Sequence, residues 1–158
     1  MSMPTRESGA TLIELLVTIS LFGAMLAIVL SGWSSWANAS EQSGTARELQ
    51  SLLRQTQQRA VTEGRAMCVQ FDVPGDRYSV YRGACDDTAR TVIRGPIATG
   101  SPQVHLASPA FVEAGTATGV TFYARGTATP GTVEVTRSGS ATVFTLAVER
   151  LTGRVSLT

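Results

Sequence analysis

Apolar residues fill an unbroken stretch near the start of the chain. From Ala10 to Leu30 there are 21 residues with a single charge, that of Glu14. As a helix, a segment of this length crosses a hydrocarbon core of about 30 Å. Trp33 and Trp36 follow, where amphipathic rings favour the membrane–water boundary. The pattern therefore predicts a transmembrane helix over residues 10–30.

The charge of Glu14 needs an explanation, because a carboxylate within such a segment costs roughly 2.5 kcal/mol or more. A partner arises if the chain is cut after Gly9, since the new α-amino group of Ala10 lies at the i to i+4 spacing from Glu14. In a helical stack of subunits, this amine would meet the Glu14 carboxylate of a neighbour. Small residues that would allow close helix approach, or simply face lipid, are Gly23, Ala24 and Ala27.

The helical pattern continues beyond the apolar stretch but becomes amphipathic. Residues 37–63 contain no proline, and Gly64 provides a helix stop. The sequence therefore predicts one long helix over residues 10–63. Its apolar face is marked at three- and four-residue steps by Ala46, Leu49, Leu53, Thr56 and Ala60.

After Gly64 the period changes to two, which is typical of strands. Residues 67–73 and 77–82 predict a hairpin that turns at Pro74-Gly75-Asp76. Residues 86–109 predict a loop with short strands near 91–94 and 103–106. Further strands are predicted at 119–123, 132–136, 142–149 and 154–157, and together they predict one antiparallel sheet. The fold class is therefore α+β, with residues 64–158 forming a globular β domain.

Composition and charge argue against catalysis and against a general affinity for polyanions. Thirteen Arg oppose twelve acids and there is no Lys, so the net charge attracts neither nucleic acid nor anionic lipid. There is no nucleophile motif or phosphate loop. His105 is the only histidine, and its apolar neighbours indicate a surface or half-buried residue rather than a general base. We predict no enzyme activity and no cofactor.

Metal binding is also not predicted. Calcium needs six to eight oxygen ligands. The acids that come nearest to such a set are Asp72 with Asp76, or Asp86 with Asp87. Acids favour turns for local reasons, and this interpretation is preferred.

Cys68 and Cys85 lie beyond the predicted membrane helix. A disulfide between them would close a loop of about 18 residues and contribute about 3 kcal/mol in the chain-entropy model. Two free thiols remain the alternative. Alternation along the strand places Cys68 opposite Val69 and Phe71, which predicts a bridge outside the core.

The segment Gly9-Ala10-Thr11-Leu12-Ile13-Glu14-Leu15-Leu16-Val17 resembles the prepilin cleavage and methylation signal of type IV pilins and type II secretion pseudopilins. The resemblance implies that residues 1–9 are a leader and that prepilin peptidase cuts between Gly9 and Ala10 and methylates the new terminus. Glu14 would then be the fifth mature residue, which such subunits use in assembly. Ala10 stands where Phe is common. The implied partners are the cytoplasmic membrane and other pilin or pseudopilin subunits, with the β domain outside the cytoplasm.

The carboxyl-terminal part resembles one branch of this family. The pattern of Phe122, Gly126, Gly131-Thr132-Val133-Glu134-Val135 and Thr152-Gly153-Arg154-Val155 is similar to GspH/FimT-type minor pseudopilins and minor pilins. The resemblance implies a pilin-like fold and a structural subunit of a type II secretion pseudopilus or a type IV pilus.

A DNA-binding minor pilin of natural transformation is the alternative function. Some members of this branch use a Gly-Arg-x-Arg element near the carboxyl terminus. Here Gly153-Arg154-Val155-Ser156 supplies only the first Arg. Supplementary phosphate contacts would have to come from Arg125, Arg137 and Arg150.

Two simpler interpretations of the apolar stretch remain open. Ala37-Asn38-Ala39 has the small-x-small pattern of a signal peptidase site, which would leave a soluble domain starting at Ser40. The segment could also be a plain single-pass anchor. Neither interpretation explains Glu14.

Overall fold

The computed structural model describes residues 11–111 and 118–158, with side chains for these residues other than 30–38. The chain divides into two compact units, one ending at Ala39 and the other covering Ser40–Thr158. A single helix, α1 (Leu12–Glu63), supplies residues to both units and is continuous over 52 residues.

Helix α1 begins with a capped first turn in the first unit. The hydroxyl of Thr11 accepts a hydrogen bond from the backbone N–H of Glu14 at 3.4 Å, and its carbonyl accepts from Glu14 and Leu15. Thr11 is therefore the cap, and the acid in the first turn suits the helix dipole. The predicted start, Ala10, lies outside the described residues. Residues Leu12–Val29 have a mean hydropathy of 2.4 and are long and apolar enough to cross a membrane.

The second unit contains eight strands within the described residues, arranged as two four-stranded antiparallel sheets rather than the single sheet predicted. The first sheet has the order β3-β2-β1-β5 and the second the order β4-β6-β7-β8. The strands are β1 (Met67–Asp72), β2 (Arg77–Arg82), β3 (Thr91–Ala98), β4 (Val104–Phe111), β5 (Gly119–Phe122), β6 (Gly131–Arg137), β7 (Phe144–Val148) and β8 (Val155–Leu157).

The short strands predicted near 91–94 and 103–106 are present, but they extend well into the residues predicted as loop. Strands β3 and β4 are eight residues each, because each pairs along most of its length with a strand that was recognised from the sequence. Pro96 is tolerated because β3 is an edge strand, where a missing N–H does not break the sheet. Gly131 lets β4 and β6 approach closely, since a Cβ there would collide with the carbonyl oxygen of Ala110.

One hydrophobic core joins both sheets to the second half of α1. The helix contributes four residues that are fully buried, and Thr56 beside them is 4% exposed. These four are Ala46, Leu49, Leu53 and Ala60, so the predicted apolar face is confirmed. From the sheets, Phe71 and Phe122 pack on one side and Val133 and Leu146 on the other. The predicted α+β class is confirmed.

Polar side chains of α1 fix its position on the second sheet. Gln42 is 2% exposed, and its amide donates to the carbonyls of Val135 at 3.0 Å and Thr142 at 2.8 Å. Further along, Arg54 donates to the carbonyl of Val155 at 3.0 Å. These bonds satisfy backbone carbonyls that would otherwise be costly to bury.

Candidate assembly and binding surfaces

The first half of α1 presents an apolar surface that no other described residue covers. Across Leu12–Val29 no side chain is buried, and the large apolar residues are between 53% exposed at Val17 and 81% exposed at Leu12. Nothing lies within 4 Å of the position that a Cβ would take at Gly23. An exposed apolar surface of this extent marks contact with a membrane or with other proteins.

Glu14 lies on this surface, in the first turn of α1, and is exposed. Among the described residues it forms no ion pair. Gly9 and Ala10 lie outside the described residues, as do the side chains of Trp33 and Trp36. The pairing of Glu14 with an amine of a neighbouring subunit therefore stays a prediction.

Cys68 and Cys85 are joined by a disulfide, with their Cα atoms 5.0 Å apart. Cys68 is on β1 opposite Val69, yet it is fully buried, because the segment after β2 folds back over that face. The backbone N–H of Cys85 donates to the hydroxyl of Thr121 on β5 at 3.0 Å. The bridge therefore holds this segment against two strands of the first sheet.

Arg90 completes the packing around the disulfide. Its guanidinium donates to the carbonyl of Cys85 at 2.5 Å and to the side chain of Gln70 at 2.6 Å. It also lies 4.5 Å from the centre of the Tyr81 ring. Sequence reasoning missed this residue, since nothing in the local pattern distinguishes Arg90 from other surface arginines.

Two turns of the second unit meet at Gln57, near the carboxyl-terminal end of α1. The Gln57 amide donates to the carbonyl of Thr152 at 2.7 Å and contacts that of Gly126 at 3.5 Å. Gly153 has φ of 61°, and a Cβ there would lie 2.6 Å from the Gly126 carbonyl oxygen. The close approach excludes a side chain at Gly153, whereas Gly126 is required for its φ of 83°.

Three predicted site residues lie on or next to these two turns. Arg125 precedes Gly126, Arg154 follows Gly153, and the carbonyl of Arg150 accepts from Ala128 at 2.9 Å. All three arginines are exposed, and none forms an ion pair within the described residues. We call the two turns that carry or adjoin Arg125, Arg150 and Arg154 the arginine turns. The fourth predicted arginine, Arg137, bonds instead to the side chain of Gln103.

Glu63, the last residue of α1, carries the clearest electrostatic interaction. Arg59 lies 2.5 Å from one carboxylate oxygen and Arg82 lies 3.0 Å from the other. The hydrogen bond from Arg59, together with both positive charges, holds the pKa of Glu63 below its usual value of 4.5. The ion pair between Glu63 and Arg82 joins the end of α1 to β2.

Two of the four acids considered for calcium accept hydrogen bonds from the backbone. Asp76 accepts a hydrogen bond from the backbone N–H of Leu106 at 2.9 Å, and Asp87 accepts from that of Ala89 at 2.8 Å. Over residues 11–111 and 118–158, no group of three or more His, Cys, Asp or Glu side chains could hold a metal ion.

His105 is partly exposed, as predicted, but it is bonded on both ring nitrogens. Nδ1 lies 2.7 Å from Oδ2 of Asp76 in the β1–β2 turn, and Nε2 lies 2.9 Å from the hydroxyl of Ser138 after β6. Sequence reasoning did not connect these three residues, which are 29 and 33 positions apart in the chain. The pairing of β4 with β6 brings Ser138 to His105, and the hydrogen bond from the N–H of Leu106 to Asp76 holds the β1–β2 turn beside β4.

Solved structures with similar folds define the class of protein. The minor pseudopilin EpsH of the Vibrio cholerae type 2 secretion system matches with a TM-score of 0.58 at 17% identity, over 75% of this chain and 96% of that chain. The type IV minor pilin FimU of Pseudomonas aeruginosa matches with 0.58 at 22% identity, over 78% and 92%. GspH of E. coli matches with 0.56 at 14% identity, over 77% and 90%. The fold is therefore that of pilin-like subunits.

Family profiles give the particular assignment. The profile described as type II transport protein GspH matches residues 45–152, and the prokaryotic N-terminal methylation motif matches residues 4–30. The chain belongs to the GspH family, and the predicted resemblance to GspH-type minor pseudopilins and pilins is confirmed. No curated protein matches it.

Proposed function

We propose that this protein is a non-catalytic minor subunit of a type II secretion pseudopilus or a type IV pilus, and that it acts in filament assembly or initiation and in protein secretion. The observation that carries the proposal is the exposed apolar first half of α1 with Glu14 in its first turn, inside the methylation motif. A stable lone protein does not leave such a surface in water. Bilayer and filament core are the two environments that cover it.

Processing is the first step of the proposal. Residues 1–9 are the leader, prepilin peptidase cuts between Gly9 and Ala10, and the Ala10 amine is methylated. Residues 10–30 then cross the cytoplasmic membrane, the helix continues to residue 63, and residues 64–158 form the domain outside the cytoplasm. The disulfide supports this location, because disulfides persist outside the cytoplasm.

Assembly is the second step. The new amine of one subunit and the Glu14 carboxylate of its neighbour neutralise each other within the apolar bundle. Two ions buried together cost less than either one alone. Gly23, Ala24 and Ala27 allow the neighbouring helices to approach.

The amino terminus and intact mass of the membrane-extracted protein test processing. A terminus at Ala10 supports the proposal, and a methyl group on it supports methylation. A Gly9→Leu variant should keep the leader. A terminus at Ser40 would refute the proposal in favour of a secreted domain, and an uncut protein would leave only a membrane anchor.

Incorporation into filaments tests the role of Glu14. Glu14→Leu should insert in the membrane normally but be depleted from sheared filaments. The matched control is Glu41→Leu, which removes an exposed acid from the same helix and should assemble normally. Equal incorporation of the two variants would refute the pairing of Glu14 with the amine.

DNA binding is the second candidate, favoured by the convergence of the arginine turns at Gln57. Three exposed cations on adjacent turns would contact phosphates, and the affinity would fall steeply with salt. Gel-shift titration of the full chain in detergent at two salt concentrations tests this. Arg154→Ala should weaken DNA binding and reduce the slope of log affinity against log salt concentration by about one. Arg47→Ala, which removes the same charge from α1, should change neither. No shift, or equal effects of the two variants, would remove this candidate.

A further inference from the structure

Ser138, His105 and Asp76 form a continuous hydrogen-bonded chain on the surface of the second unit. The Ser138 hydroxyl is 2.9 Å from Nε2 of His105, and Nδ1 of the same ring is 2.7 Å from Oδ2 of Asp76. We propose that Ser138 is an activated nucleophile and a site of covalent acylation, taking an acyl group from an activated ester or thioester. The inference is independent of the proposed function, and either could fail alone.

The protonation pattern follows from the hydrogen-bond partners. An ionised carboxylate can only accept, so Asp76 requires a hydrogen on Nδ1 of His105. In the neutral ring Nε2 then has a free lone pair, which accepts the hydroxyl hydrogen of Ser138. This is the arrangement in which an imidazole acts as the general base for a serine.

Asp76 is held so that it can orient the ring. Its other oxygen, Oδ1, accepts the backbone N–H of Leu106 at 2.9 Å. Its own φ is 48°, in the left-handed region that residues other than glycine seldom adopt. Both carboxylate oxygens are therefore engaged, and Asp76 is a positioning residue for His105.

A donor for the developing oxyanion follows the nucleophile in sequence. The backbone N–H of Ser138 donates to the carbonyl of Gln103, and that of Ser140 donates to the carbonyl of Arg137. The N–H of Gly139 between them donates to no group among the described residues. Gly139 has φ of 77° and lies in an exposed turn, which leaves room for a substrate oxygen beside its amide. The residue after the nucleophile supplies such a donor in other acyl-transfer sites.

The reaction balances without any redox partner. The Ser138 oxygen attacks the carbonyl carbon of the donor as its proton moves to Nε2 of His105. The carbon–oxygen or carbon–sulfur bond to the leaving group then breaks, and the leaving alcohol or thiol takes the proton from Nε2. The products are acyl-Ser138 and the free alcohol or thiol, with Asp76 ionised throughout.

The openness of the site points to a single acylation rather than to fast turnover. The side chain of His105 is 40% exposed and Ser138 is exposed, so the site accepts donors of varied shape but excludes little water. An enclosed, dry site is what gives most acyl-transfer enzymes their rate. A stoichiometric modification is consistent with a structural subunit.

Acetylation by p-nitrophenyl acetate tests the proposal on the full-length protein in detergent. The chain suits this reagent, because it has no Lys and both Cys are in the disulfide, which leaves the amino terminus and three Tyr as the main competing nucleophiles. Peptide mapping should find an acetyl group on Ser138. Ser138→Ala should abolish it. The matched control Ser140→Ala, in the same turn, should leave it unchanged.

The rate identifies the base. His105→Gln should slow acetylation of Ser138 by at least about 100-fold, the usual contribution of general base catalysis. Asp76→Asn should slow it less and should change the pH profile between about pH 5 and 8, which a merely structural contact would not do. Urea-unfolded wild-type protein gives the rate of an ordinary serine and does not depend on any variant folding. A folded rate equal to the unfolded rate, or equal labelling of wild type and Ser138→Ala, would overturn the proposal.

Discussion

The two halves of helix α1 use leucine in opposite ways. Leu16 in the first half is 58% exposed, whereas Leu53 in the second half is fully buried against the sheets. Both lie in the same continuous helix, so helix propensity cannot explain the difference. What differs is the arrangement of charged residues, which are nearly absent from the first half and lie on the exposed side of the second. An amphipathic helix finds its partner within its own domain, whereas an all-round apolar helix requires one from outside.

The largest expected contrast comes from the same substitution in the two halves. Leu53→Ala should lower the free energy of unfolding of the β domain by about 2–5 kcal/mol, because it removes buried side-chain atoms and leaves a cavity. Leu16→Ala should leave that free energy unchanged. Guanidinium unfolding in detergent, followed by near-ultraviolet circular dichroism, measures both. Equal losses would contradict the division of α1 into an unpartnered and a packed half.

Removing the disulfide should affect only the unit that contains it. Replacing Cys68 and Cys85 by Ala should lower the free energy of unfolding of the β domain by about 3 kcal/mol, since the unfolded chain regains the freedom of a 17-residue separation. Membrane insertion of residues 10–30 should be unaffected, as measured by carbonate extraction. An unchanged unfolding midpoint with a confirmed loss of the bridge would show that the segment after β2 is held by Arg90 and Thr121 alone.

Polar residues of α1 should also differ between the halves. Gln42→Ala should lower the free energy of unfolding by about 1–3 kcal/mol, because the carbonyls of Val135 in β6 and of Thr142 lose their hydrogen-bond donor. Within the part of the chain that the structure describes, the Thr18 hydroxyl donates to the carbonyl of Leu15 in its own helix, so Thr18→Ala should change the free energy of unfolding by less than about 0.5 kcal/mol. The same unfolding experiment applies. A neutral Gln42→Ala would mean that water replaces the amide.

The smallest effect is expected at the acid that ends α1, and it should depend on pH. Because the folded-state pKa of Glu63 is lowered, its contribution to stability is present above the unfolded-state pKa and is lost as the pH falls through the folded-state value. Glu63→Gln should therefore lower the melting temperature slightly at neutral pH and have no effect in strong acid. Glu41→Gln on the same helix serves as the control. A difference that persisted in acid would indicate packing rather than charge.

Much of this architecture followed from local patterns. The hairpin of β1 and β2 was predicted because alternation and a Pro-Gly-Asp turn are local signals. The packed face of α1 was predicted because 3.6-residue periodicity is local too. Strands β3 and β4 were predicted too short, since their Gly, Pro and Ser residues resemble a loop until a neighbouring strand supplies the hydrogen bonds.

The candidate sites also differ in whether local sequence alone reveals them. Glu14 is identifiable from the sequence, because a lone acid within an apolar stretch needs no partner in the fold to be noticed. The arginine turns, by contrast, depend on Gln57 holding two turns that are distant in sequence. The contacts of His105 with Asp76 and Ser138 depend on which strands are neighbours.

The sequence by itself therefore determined the family, the apolar segment, its single acid and the periods of helix and strand, because each is encoded by residues a few positions apart. Only the tertiary structure decided that the strands form two sheets and that Cys68 is buried. It also decided that the two turns beside Arg125, Arg150 and Arg154 meet and, elsewhere, that Ser138, His105 and Asp76 form one hydrogen-bonded chain. These depend on contacts between residues far apart in the chain. Such contacts are selected by the packing of the whole core rather than by any local propensity.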